Sequence, residues 1–487
     1  MTTAYASQDL APLLERLFLF DAFEGSYEIT GITGRVPSWL QGTYYLNGPA
    51  RFERSGHRYN HWLDGDGMIA SLRFTADGIS YTSRFVGTPK LRDEAAEGRF
   101  LYRGFGTAFP GDRLRRKVML EPPVNVSVQA YDGRLLAFGE QTLPYELNPV
   151  TLDTVGEYDF QGSLNELSPF SAHAKLDSHL MNFGISFSAT QPLLHVYEFD
   201  HAGRLLKRRR FPLLFQHSVH DFGITRHHAV FFLSPLLMNF QRFWDEGRSV
   251  MESLSWEPER GSTLLITPRV SSDVPAFSVD AGRGYCLHFI NCFEQGNRLM
   301  IDVLELDEPV YPEYQPVPDL FATVPLGRPV RFVVDIESRK LIDRIELNYD
   351  RSPDFPSIEN TLVGVHYDDF WMTGISESGR AGRKFFNELA HGSWKTNSVN
   401  DIYRVPAGEY LGGEPVYVGN GEEGVVLVQH FMPASDRSEY LVFDGAAVRN
   451  GPIARLPLRH RAHPGFHATF HKTTLQPTPR KGDSKHQ

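Results

Sequence analysis

The chain is poor in cysteine and in long apolar runs. Its 487 residues include only two cysteines, Cys286 and Cys292. Two are too few for a disulfide framework or a thiol-rich metal site, so a reducing compartment is expected. No run approaches the roughly 18 apolar residues of a membrane-spanning helix, and the N-terminus lacks the basic region of a signal peptide. These absences predict a cytoplasmic protein.

Excess positive charge and familiar catalytic motifs are also missing. The net charge is −10, whereas a nucleic-acid binder normally carries a basic footprint, so no nucleic-acid partner is expected. The sequence has no P-loop, no dinucleotide-binding fingerprint and no His-Glu-x-x-His pair. Helical periodicity is scarce, and only residues 8–20, 236–247 and 383–391 are candidate helices.

Short strands separated by turns dominate instead. Strands such as GVVLVQHF (424–431) and YLVFD (440–444) are rich in Val, Phe, Leu and Tyr. A strand–turn–strand unit recurs at 145–160, 196–211 and 332–347, which indicates a repeat of roughly 45–70 residues. This repeat predicts an all-β fold, a β-propeller whose four-stranded blades take about 40–50 residues each. The alternative is an array of β-sandwich domains, although no linker rich in Pro, Gly or Ser separates such units.

Histidine is abundant, with 19 residues. Most are expected on the surface or in the core, but four begin a strand or turn beside aromatic or small residues. Their successive separations of 47, 68 and 179 residues correspond to one, one and several blades. Inner strands of a propeller would bring them to a common axis. They are His173 in SPFSAHAKLD, His220 in SVHDFGITRHH, His288 in YCLHFINCFEQGNRL and His467 in HPGFHATFH.

Residues 61–68 read HWLDGDGM, in which two aspartates alternate with two glycines. An EF-hand calcium loop needs Asp or Asn at its fifth position and Gly at its sixth, which here are Met68 and Ile69 when counted from Asp64. The calcium interpretation therefore fails. Asp-Gly-Asp-Gly predicts a tight turn, because glycine supplies backbone angles that other residues resist.

Several motifs, taken together and in order, give a specific resemblance. The sequence resembles the carotenoid cleavage oxygenases, a family that also includes stilbene-cleaving dioxygenases and the retinoid isomerohydrolase of the visual cycle. The resemblance spans nearly the whole chain. The motifs are GTYYLNGPARF (42–52), HWLDGDGM (61–68), LPYELNPVTLDTVG (143–156), AHAKLD (172–177), VHDFGIT (219–225), LHFINCFE (287–294), PDFPSIE (353–359), EPVYVGNGEEGVVLV (414–428) and GFHATFH (465–471).

The resemblance implies a seven-bladed β-propeller with a loop and helix cap over an axial metal site. One Fe(2+) per subunit would be held by His173, His220, His288 and His467, and imidazole is a donor that suits ferrous iron. The resemblance also implies that HWLDGDGM is a tight blade turn held by Trp62 and that its aspartates are structural.

The propeller is expected to form a single domain over residues 1–471, beginning with a helical segment at about 8–20. The remaining tail, 472–487, is polar, basic and proline-bearing. We expect this tail to be disordered and to lie outside the fold.

Carboxylates behind the imidazoles are expected, because four neutral ligands leave the charge of a ferrous ion uncompensated. In the family three glutamates fill this role. The motifs carry two of them onto Glu140 and Glu414, and the third position is Asp354, a departure from glutamate. Aspartate is one methylene shorter, so its backbone must lie closer or its hydrogen bond must be longer. In related enzymes a side chain about fourteen residues before the first glutamate shields an open iron position, which here corresponds to Val126.

Histidines that neighbour the candidate ligands are not assigned to the metal. The His-Asp-Phe context selects His220, and the Gly-Phe-His context selects His467. Asp221 is interpreted as a residue behind an imidazole or in a turn, without a catalytic role. The unassigned neighbours are His217, His227, His228, His463 and His471.

The reaction implied by the resemblance is dioxygen-dependent cleavage of a conjugated C=C bond of a carotenoid or apocarotenoid into two carbonyl products. The protein would thread the apolar polyene past the metal and exclude water. The alternative on the same scaffold is a stilbene-cleaving dioxygenase, whose members place a Lys, paired with a Tyr, immediately before the first glutamate. Here that position is Gly139, which cannot orient or ionise a phenol. A retinoid isomerohydrolase and a non-catalytic propeller remain further alternatives, and the four histidines disfavour the latter.

Carotenoids reside in membranes, so an apolar entrance is expected. The segment SPLLMNFQRFW (234–244) is aromatic and apolar with Arg242 at its rim, a composition that suits lying on a bilayer. FPLLFQ (211–216) would extend it. We expect peripheral, reversible attachment, and the alternative is a buried amphipathic segment. The candidate patch comprises Leu236, Leu237, Phe240, Phe243 and Trp244.

Overall fold

Strands dominate the computed structural model, and seven antiparallel sheets of four or five strands form the blades of a β-propeller. The predicted fold class is confirmed. The helical segment predicted at about 8–20 begins outside the described residues, and within it the structure has a short 3-10 turn at Leu14–Leu17. The predicted tail, 472–487, lies almost entirely outside them. The structure describes residues 11, 13–186, 191–269, 274–310, 321–473 and 475.

In each of the first four blades the innermost strand is short, and the other strands follow it outward in the order given. Blade 1 contains β34 (Ala468–His471), β3 (Gly42–Ala50), β6 (Asp66–Phe74), β7 (Ile79–Phe85) and β1 (Gly25–Glu28). Blade 2 contains β8 (Ser127–Tyr131), β9 (Arg134–Phe138), β10 (Tyr145–Leu147) and β11 (Thr154–Glu157). Blade 3 contains β12 (Lys175–Leu176), β13 (Leu180–Ile185), β14 (Leu193–Phe199) and β15 (Leu205–Pro212). Blade 4 contains β16 (Gly223–Ile224), β17 (His228–Leu233), β20 (Ser262–Pro268) and β21 (Phe277–Gly282).

The other three blades follow the same order, and two short hairpins lie outside the blades. Blade 5 contains β22 (Tyr285–Gln295), β23 (Arg298–Leu306), β24 (Gly327–Asp335) and β25 (Lys340–Glu346). Blade 6 contains β26 (Ser352–Ser357), β27 (Asp369–Ile375), β28 (Glu388–Ser393) and β29 (Ser398–Arg404). Blade 7 contains β30 (Tyr410–Asn420), β31 (Glu423–Met432), β32 (Arg437–Asp444), β33 (Pro452–Pro457) and β2 (Thr33–Gly34). The hairpins are β4 (Glu53–Arg54) with β5 (His57–Arg58), and β18 (Leu236–Met238) with β19 (Leu254–Trp256).

The two ends of the chain close the ring. The C-terminal strand β34 is the innermost strand of blade 1, where Ala468 pairs with Leu46 of β3. The second strand of the chain, β2, is the outermost strand of blade 7, where Thr33 pairs with Arg455 of β33. Pairing strands from opposite ends of the chain covers sheet edges that would otherwise be open.

Neighbouring blades pack face to face, and this explains the apolar runs in the sequence. In the middle strand β23 every residue after Arg298 is buried, whereas the outer strand β25 is largely exposed. A strand covered on both faces reads as a continuous apolar run, without the alternation of a half-exposed strand. Side chains from adjacent blades interlock, for example Ile266 of blade 4 and Phe332 of blade 5 in one core cluster.

Helical structure is confined to short segments. Helix α1 (Pro89–Glu97) begins at Thr88, whose hydroxyl accepts the Leu91 N–H, and ends at the left-handed Gly98. Helix α2 (Val250–Ser253), a π-type turn at Gln241–Asp245 and the hairpin β18–β19 cover one side of the propeller axis. Within the described ranges, no helix has the length and apolar character needed to cross a bilayer. Further 3-10 turns lie at Trp62–Asp64, Pro258–Arg260, Asn360–Leu362, Pro433–Ser435 and Val448–Asn450.

The segment 234–244 does not form the exposed patch predicted from its composition. The apolar residues of the hairpin and the π-type turn face inward, and Trp244 is half-buried, with its indole N–H donating to the Val118 carbonyl at 2.9 Å. The prediction of an exposed surface here is wrong, because this segment folds as a cap packed on the core. The buried members are Leu236, Leu237, Phe240 and Phe243.

Exposed apolar side chains lie instead in the neighbouring segment FPLLFQ (211–216). Leu214 is 89% exposed and Phe215 is 37% exposed. The guanidinium of Arg260 lies over the Phe215 ring, 4.4 Å from its centroid. An apolar tip with a basic neighbour is therefore present in the segment that was expected only to extend the patch.

Candidate metal centre

Four histidines from four blades converge at the propeller axis. His173 and His220 precede the innermost strands β12 and β16, His288 lies in β22, and His467 precedes β34. One ligand nitrogen from each lies within 4.8 Å of the others. The Nε2 atoms of His173 and His220 are 2.9 Å apart. The structure thus brings together the four histidines selected from the sequence, in an arrangement able to hold one ion.

Irregularities in the inner strands aim the side chains of this site. The register of β22 shifts between Cys286 and Phe289, on either side of His288. The pairings of β26 and β30 also shift, immediately after Asp354 and around Glu414 respectively. A β-bulge re-aims side chains that a regular ladder would point along the pleat. The three bulges therefore explain why strands buried in a propeller turn polar groups towards its axis.

Left-handed backbone accompanies two of these bulges. Gly413, with φ of 71°, precedes Glu414, and Phe355, with φ of 51°, follows Asp354. Glycine adopts this region freely, whereas for phenylalanine it is strained, and such strain concentrates at functional sites. Phe355 is buried against His288 and His467, with ring centroids 5.7 and 5.2 Å away. Packing at the site therefore holds Phe355 in its strained conformation.

The three predicted carboxylates lie behind three of the imidazoles. Oε1 of Glu140 lies 2.6 Å from His220 Nδ1. Oδ1 of Asp354 lies 2.5 Å from His288 Nδ1, so the shorter aspartate keeps a short contact. Oε2 of Glu414 lies 3.4 Å from His467 Nδ1 and also accepts the Ala468 N–H at 3.0 Å. The aspartate is thus held more closely to its imidazole than Glu414 is.

A fourth carboxylate, that of Asp221, lies on the side of His173. The sequence did not decide between this position and a role in a turn. Oδ1 of Asp221 lies 3.7 Å from His173 Nδ1 and 2.7 Å from the ammonium of Lys175. Its Oδ2 accepts the Phe289 N–H at 2.8 Å. Asp221 therefore links the backbone next to His288 to the side chains of His173 and Lys175. The adjacent His-Asp pair was the available sequence signal, but it did not identify which histidine the carboxylate faces.

Burial and mutual repulsion favour uncharged imidazoles. Burial, followed by the charges of His220 and His467, holds the pKa of His173 well below its usual range. Burial also lowers the pKa of His467, although Glu414 opposes that shift. Burial has the same effect on His220, but the Glu140 carboxylate outweighs it and raises the pKa. Neutral imidazole is the form that binds a metal, so His173 and His467 are prepared for a cation.

The chemistry of the donors fits a divalent transition metal. Within the described residues, the buried Nε2 of His288 has no hydrogen-bond partner, and its Nδ1 is occupied by Asp354. An imidazole whose one nitrogen is fixed by a carboxylate presents the other as a ligand. Four imidazole donors without any thiolate suit ferrous iron, and they also suit other metals that bind imidazole.

A cavity of about 180 Å³ reaches this cluster at His220 and Glu140. Val126, the predicted shield, is buried and lines the same cavity, and its carbonyl accepts the His467 N–H at 3.1 Å. The cap contributes part of the opposite wall. The lining is mainly apolar and includes Leu63, Phe105, Met119, Val219, Met238, Phe243 and Leu254.

The motif HWLDGDGM packs beside the cavity, outside the four-histidine cluster. Trp62 is fully buried in the central core. Asp64 accepts the Gly106 N–H at 3.0 Å and the Thr107 hydroxyl at 2.6 Å. These contacts fix the loop that leads to the cavity wall, which agrees with the structural role expected for this aspartate.

Asp66 belongs to a buried charge cluster that the sequence did not reveal. Its carboxylate lies 2.8 Å from Arg54 Nη2 and 2.7 Å from Lys90 Nζ. Glu94 lies 3.3 Å from Lys90 Nζ and 3.5 Å from Arg54 Nε. Lys90 and Glu94 are four residues apart on α1, a spacing that was visible in the sequence, but their two partners come from another part of the chain. Arg54, Asp66, Lys90 and Glu94 are called the buried charge cluster below.

The fold and the site together define a seven-bladed β-propeller with a four-histidine candidate metal centre on its axis. Residues 21–472 match the family model described as "Retinal pigment epithelial membrane protein" (RPE65). The chain therefore belongs to this family, that of the carotenoid cleavage oxygenases, and the resemblance noted in the sequence is confirmed.

Similar proteins extend over almost the full chain. The apocarotenoid-15,15'-oxygenase of Synechocystis is 27% identical over 92% of this chain and 94% of its own length. The lignostilbene-α,β-dioxygenase isozyme III of Sphingomonas paucimobilis is 26% identical with the same coverage of 92% and 94%. A crystal structure of an ACO/RPE65 chimera has a TM-score of 0.85 and 24% identity, over 95% of this chain and 98% of the other. That structural likeness shows the shared fold, and the named relatives are oxygenases.

Proposed function

We propose that this protein is a non-haem Fe(2+) dioxygenase that cleaves a conjugated C=C bond of a carotenoid or apocarotenoid into two carbonyl products. The observation that carries the proposal is the four-histidine cluster at the end of a largely apolar cavity. Membership of a family with an apocarotenoid oxygenase among its relatives supports it.

In this proposal His173, His220, His288 and His467 hold one ferrous ion. Asp354 accepts a hydrogen bond from Nδ1 of His288, and the carboxylate of Glu140 lies against Nδ1 of His220. Both fix those rings and supply negative charge. Glu414 does the same for His467 over a longer distance. Asp221, restrained by Lys175, contributes charge on the side of His173.

When bound, ferrous iron supplies the redox chemistry that lets dioxygen react with an alkene. One oxygen atom of dioxygen ends on each carbon of the cleaved bond, so the atoms balance without an external reductant. The chain itself orients the alkene and excludes water, and no general acid or base is needed. Val126 is suited to limit access to one side of the ion, because it is a buried apolar side chain in the cavity wall.

The test is aerobic incubation of the Fe(2+)-loaded protein with a full-length carotenoid, several apocarotenals and a hydroxystilbene, followed by identification of products by mass. We expect paired aldehydes or ketones from a polyene, and their loss without dioxygen. With ¹⁸O₂, each product should carry one labelled oxygen when exchange with water is controlled. Iron-loaded protein that leaves every polyene intact would contradict the proposal.

A stilbene-cleaving dioxygenase is the second candidate, and cavity size favours it. A cavity of about 180 Å³ is smaller than the roughly 300–1,000 Å³ of typical ligand pockets, so a short alkene fits more easily than a full-length carotenoid. The lignostilbene dioxygenase relative adds support. The hydroxystilbene arm of the same assay decides between the two candidates.

Gly139 argues against the phenol recognition expected of stilbene-cleaving members. A Cβ at position 139 would lie 2.9 Å from Val124 Cα and 3.2 Å from Val124 N. The backbone of Val124 would have to move before a lysine fitted here. The apolar polyene therefore remains the preferred substrate class.

Reversible membrane contact is proposed through Leu214 and Phe215. These exposed side chains directly precede Gln216 and His217, which line the cavity. An apolar tip at this place would let a lipid-dissolved substrate reach the cavity. Flotation with liposomes should recover the wild type and lose Leu214→Glu, whereas equal recovery of both would exclude this surface.

A further inference from the structure

Three polar side chains of the cavity wall already use their hydrogen-bond donors within the protein. Asn125 donates through Nδ2 to the carbonyl oxygens of Leu63 and Gly65, at 2.9 and 2.8 Å. A side-chain amide has two N–H donors, and both are thereby committed to backbone. Asn125 therefore holds the cavity wall together and has no N–H left for a substrate.

The two cations of the wall are committed as well. Arg103 donates through Nε and Nη2 to Asp112, at 3.1 and 2.8 Å, and through Nη1 to the Phe243 carbonyl. Lys90 donates to Tyr59 and, within the buried charge cluster, to Asp66 and Glu94. An ammonium has three N–H donors, so Lys90 is saturated.

Glu121 stands apart from these groups. Its side chain lines the cavity and the residue is only 6% exposed. Within the described part of the chain, its buried Oε1 has no hydrogen-bond partner. The nearest cation, Arg115, lies 4.0 Å from Oε2 and is bound at 2.7 Å by Glu157. A buried carboxylate without a donor is costly, and a donor supplied from the cavity would offset that cost.

A second acceptor faces the same cavity. Nδ1 of His217 lies 2.8 Å from the Ser234 carbonyl oxygen, so this nitrogen carries the proton. Burial lowers the pKa of His217, which keeps the ring neutral. A neutral imidazole that donates through Nδ1 offers Nε2 as an acceptor. Glu121 and His217 therefore offer two acceptors to a ligand that donates hydrogen bonds.

We propose that Glu121 is a specificity-determining residue that accepts a hydrogen bond from a hydroxyl group of the substrate. The preferred substrate is then a hydroxyl-bearing conjugated alkene, ahead of the same alkene without the hydroxyl. A carbonyl or ether end, which cannot donate, gains nothing from Glu121. The inference rests on the proposed function, because it deepens the substrate class of the same cavity.

The test compares two apocarotenoids that differ only in a hydroxyl on the terminal ring. Their binding to the metal-free protein is measured by quenching of tryptophan fluorescence, and their cleavage is measured separately with Fe(2+)-loaded protein. A hydrogen bond to a charged group corresponds to roughly 10-fold or more in affinity. We expect the wild type to bind the hydroxylated compound tighter by that factor and Glu121→Met to lose the preference.

Two further variants keep the result interpretable. Glu121→Gln retains an acceptor oxygen and should keep part of the preference, whereas Glu166→Gln, outside the cavity lining, should keep all of it. Glu121→Met should fold normally, because it removes a buried carboxylate that lacks a close partner. Its thermal unfolding temperature checks this.

The outcomes separate this inference from the proposed function. Equal binding of the two compounds by the wild type, or an unchanged preference in folded Glu121→Met, would overturn the role of Glu121. Cleavage of either compound would leave the proposed function standing in both cases. If the wild type binds neither compound, the inference is wrong, and cleavage of the full-length carotenoid and the other apocarotenals then decides the proposed function separately.

Discussion

Two buried charged regions lie near each other in this protein and differ in how their charges are balanced. The buried charge cluster contains two cations, Arg54 and Lys90, and two carboxylates, Asp66 and Glu94, in contact with one another. At the axis, four histidines are surrounded by Glu140, Asp354, Glu414 and Asp221, and among these contacts only Lys175 supplies a permanent positive charge. The first region is neutral as it stands, whereas the second is short of positive charge.

The difference separates a structural region from a functional one. A balanced set of buried charges connects elements, here α1 with β6 and the β4–β5 hairpin. Of the four axial acids, Asp221 and Asp354 are buried and Glu140 and Glu414 are partly exposed. A set of acids with too few cations is unfavourable by itself and is relieved by a cation from outside. Abundance of buried acids therefore does not by itself indicate a metal site, and an excess of acids behind imidazoles is what distinguishes the candidate metal centre.

The largest expected effect is the loss of metal from His288→Ala. This change removes a donor whose Nε2 is buried and otherwise unpartnered within the described residues. We expect Fe(2+) content after gel filtration to fall to background and cleavage to fall by more than about 100-fold, since even a residue behind a ligand is worth about 10–100-fold. Metal analysis and product yield measure the two effects.

The matched control is His57→Ala, a substitution of an exposed histidine. It should retain iron and activity. Iron retained at one equivalent in His288→Ala, in a folded protein, would show that the ion does not depend on the axial cluster.

Lys90→Met should have the largest effect on stability. It leaves the carboxylates of Asp66 and Glu94 buried with Arg54 as their remaining cation. Breaking a buried ion pair from one side typically costs about 3–5 kcal/mol of the free energy of unfolding. Denaturant titration of the metal-free protein measures this cost.

Lys90→Met should leave the binding of iron at the axial cluster unchanged. The fraction that remains folded should bind one Fe(2+) as the wild type does, because Lys90 does not contact the four-histidine cluster. Lys340→Met, at an exposed position, should change stability little. A loss of iron with normal stability in Lys90→Met would contradict the division into two regions.

Asp354→Asn should weaken metal binding without unfolding the protein. Burial acts to raise the pKa of Asp354, but the contact with His288 outweighs it and lowers the pKa, so the carboxylate is charged. Removing that charge behind a ligand typically lowers metal affinity by about 10–100-fold. Competition with a chelator of known affinity measures the change.

Glu414→Gln provides the internal comparison for Asp354→Asn. Because Glu414 lies 3.4 Å from His467 Nδ1, against 2.5 Å for Asp354 and His288, we expect a smaller loss, below about 10-fold. A larger loss in Glu414→Gln than in Asp354→Asn would mean that contact distance does not rank these carboxylates.

The order of the motifs and the spacing of the repeats were sufficient to predict the fold and to select the candidate ligands. The histidines and their carboxylates lie in distinctive local contexts, such as the glycines before Glu414, and these contexts encode the bulges that aim them. The cap was misread as exposed because the composition of 234–244 is the same for a membrane surface and for a core. Lys90 and Asp221 contact Asp66 and His173, which are distant in sequence, so no local pattern could identify these contacts.

The smallest expected effect is a pH dependence from Asp64, which lies beside the buried charge cluster but is not neutralised by it. Burial raises the pKa of Asp64 to about 6, although hydrogen bonds from Thr107 and Gly106 oppose this. The folded protein therefore holds this proton more tightly than the unfolded chain does. The resulting stability is fully present below about pH 4 and is lost as the pH rises through about 6.

Asp64→Asn should remove this component. Relative to the variant, the wild type should lose about 1 kcal/mol of unfolding free energy between pH 5 and pH 7. Denaturant titrations of both metal-free proteins at the two pH values measure the difference, and groups common to both cancel. Parallel pH profiles would mean that Asp64 keeps an ordinary pKa because its hydrogen bonds compensate for burial. In that case Asp64 would resemble the balanced cluster next to it and would differ from the axial acids, which depend on an external cation.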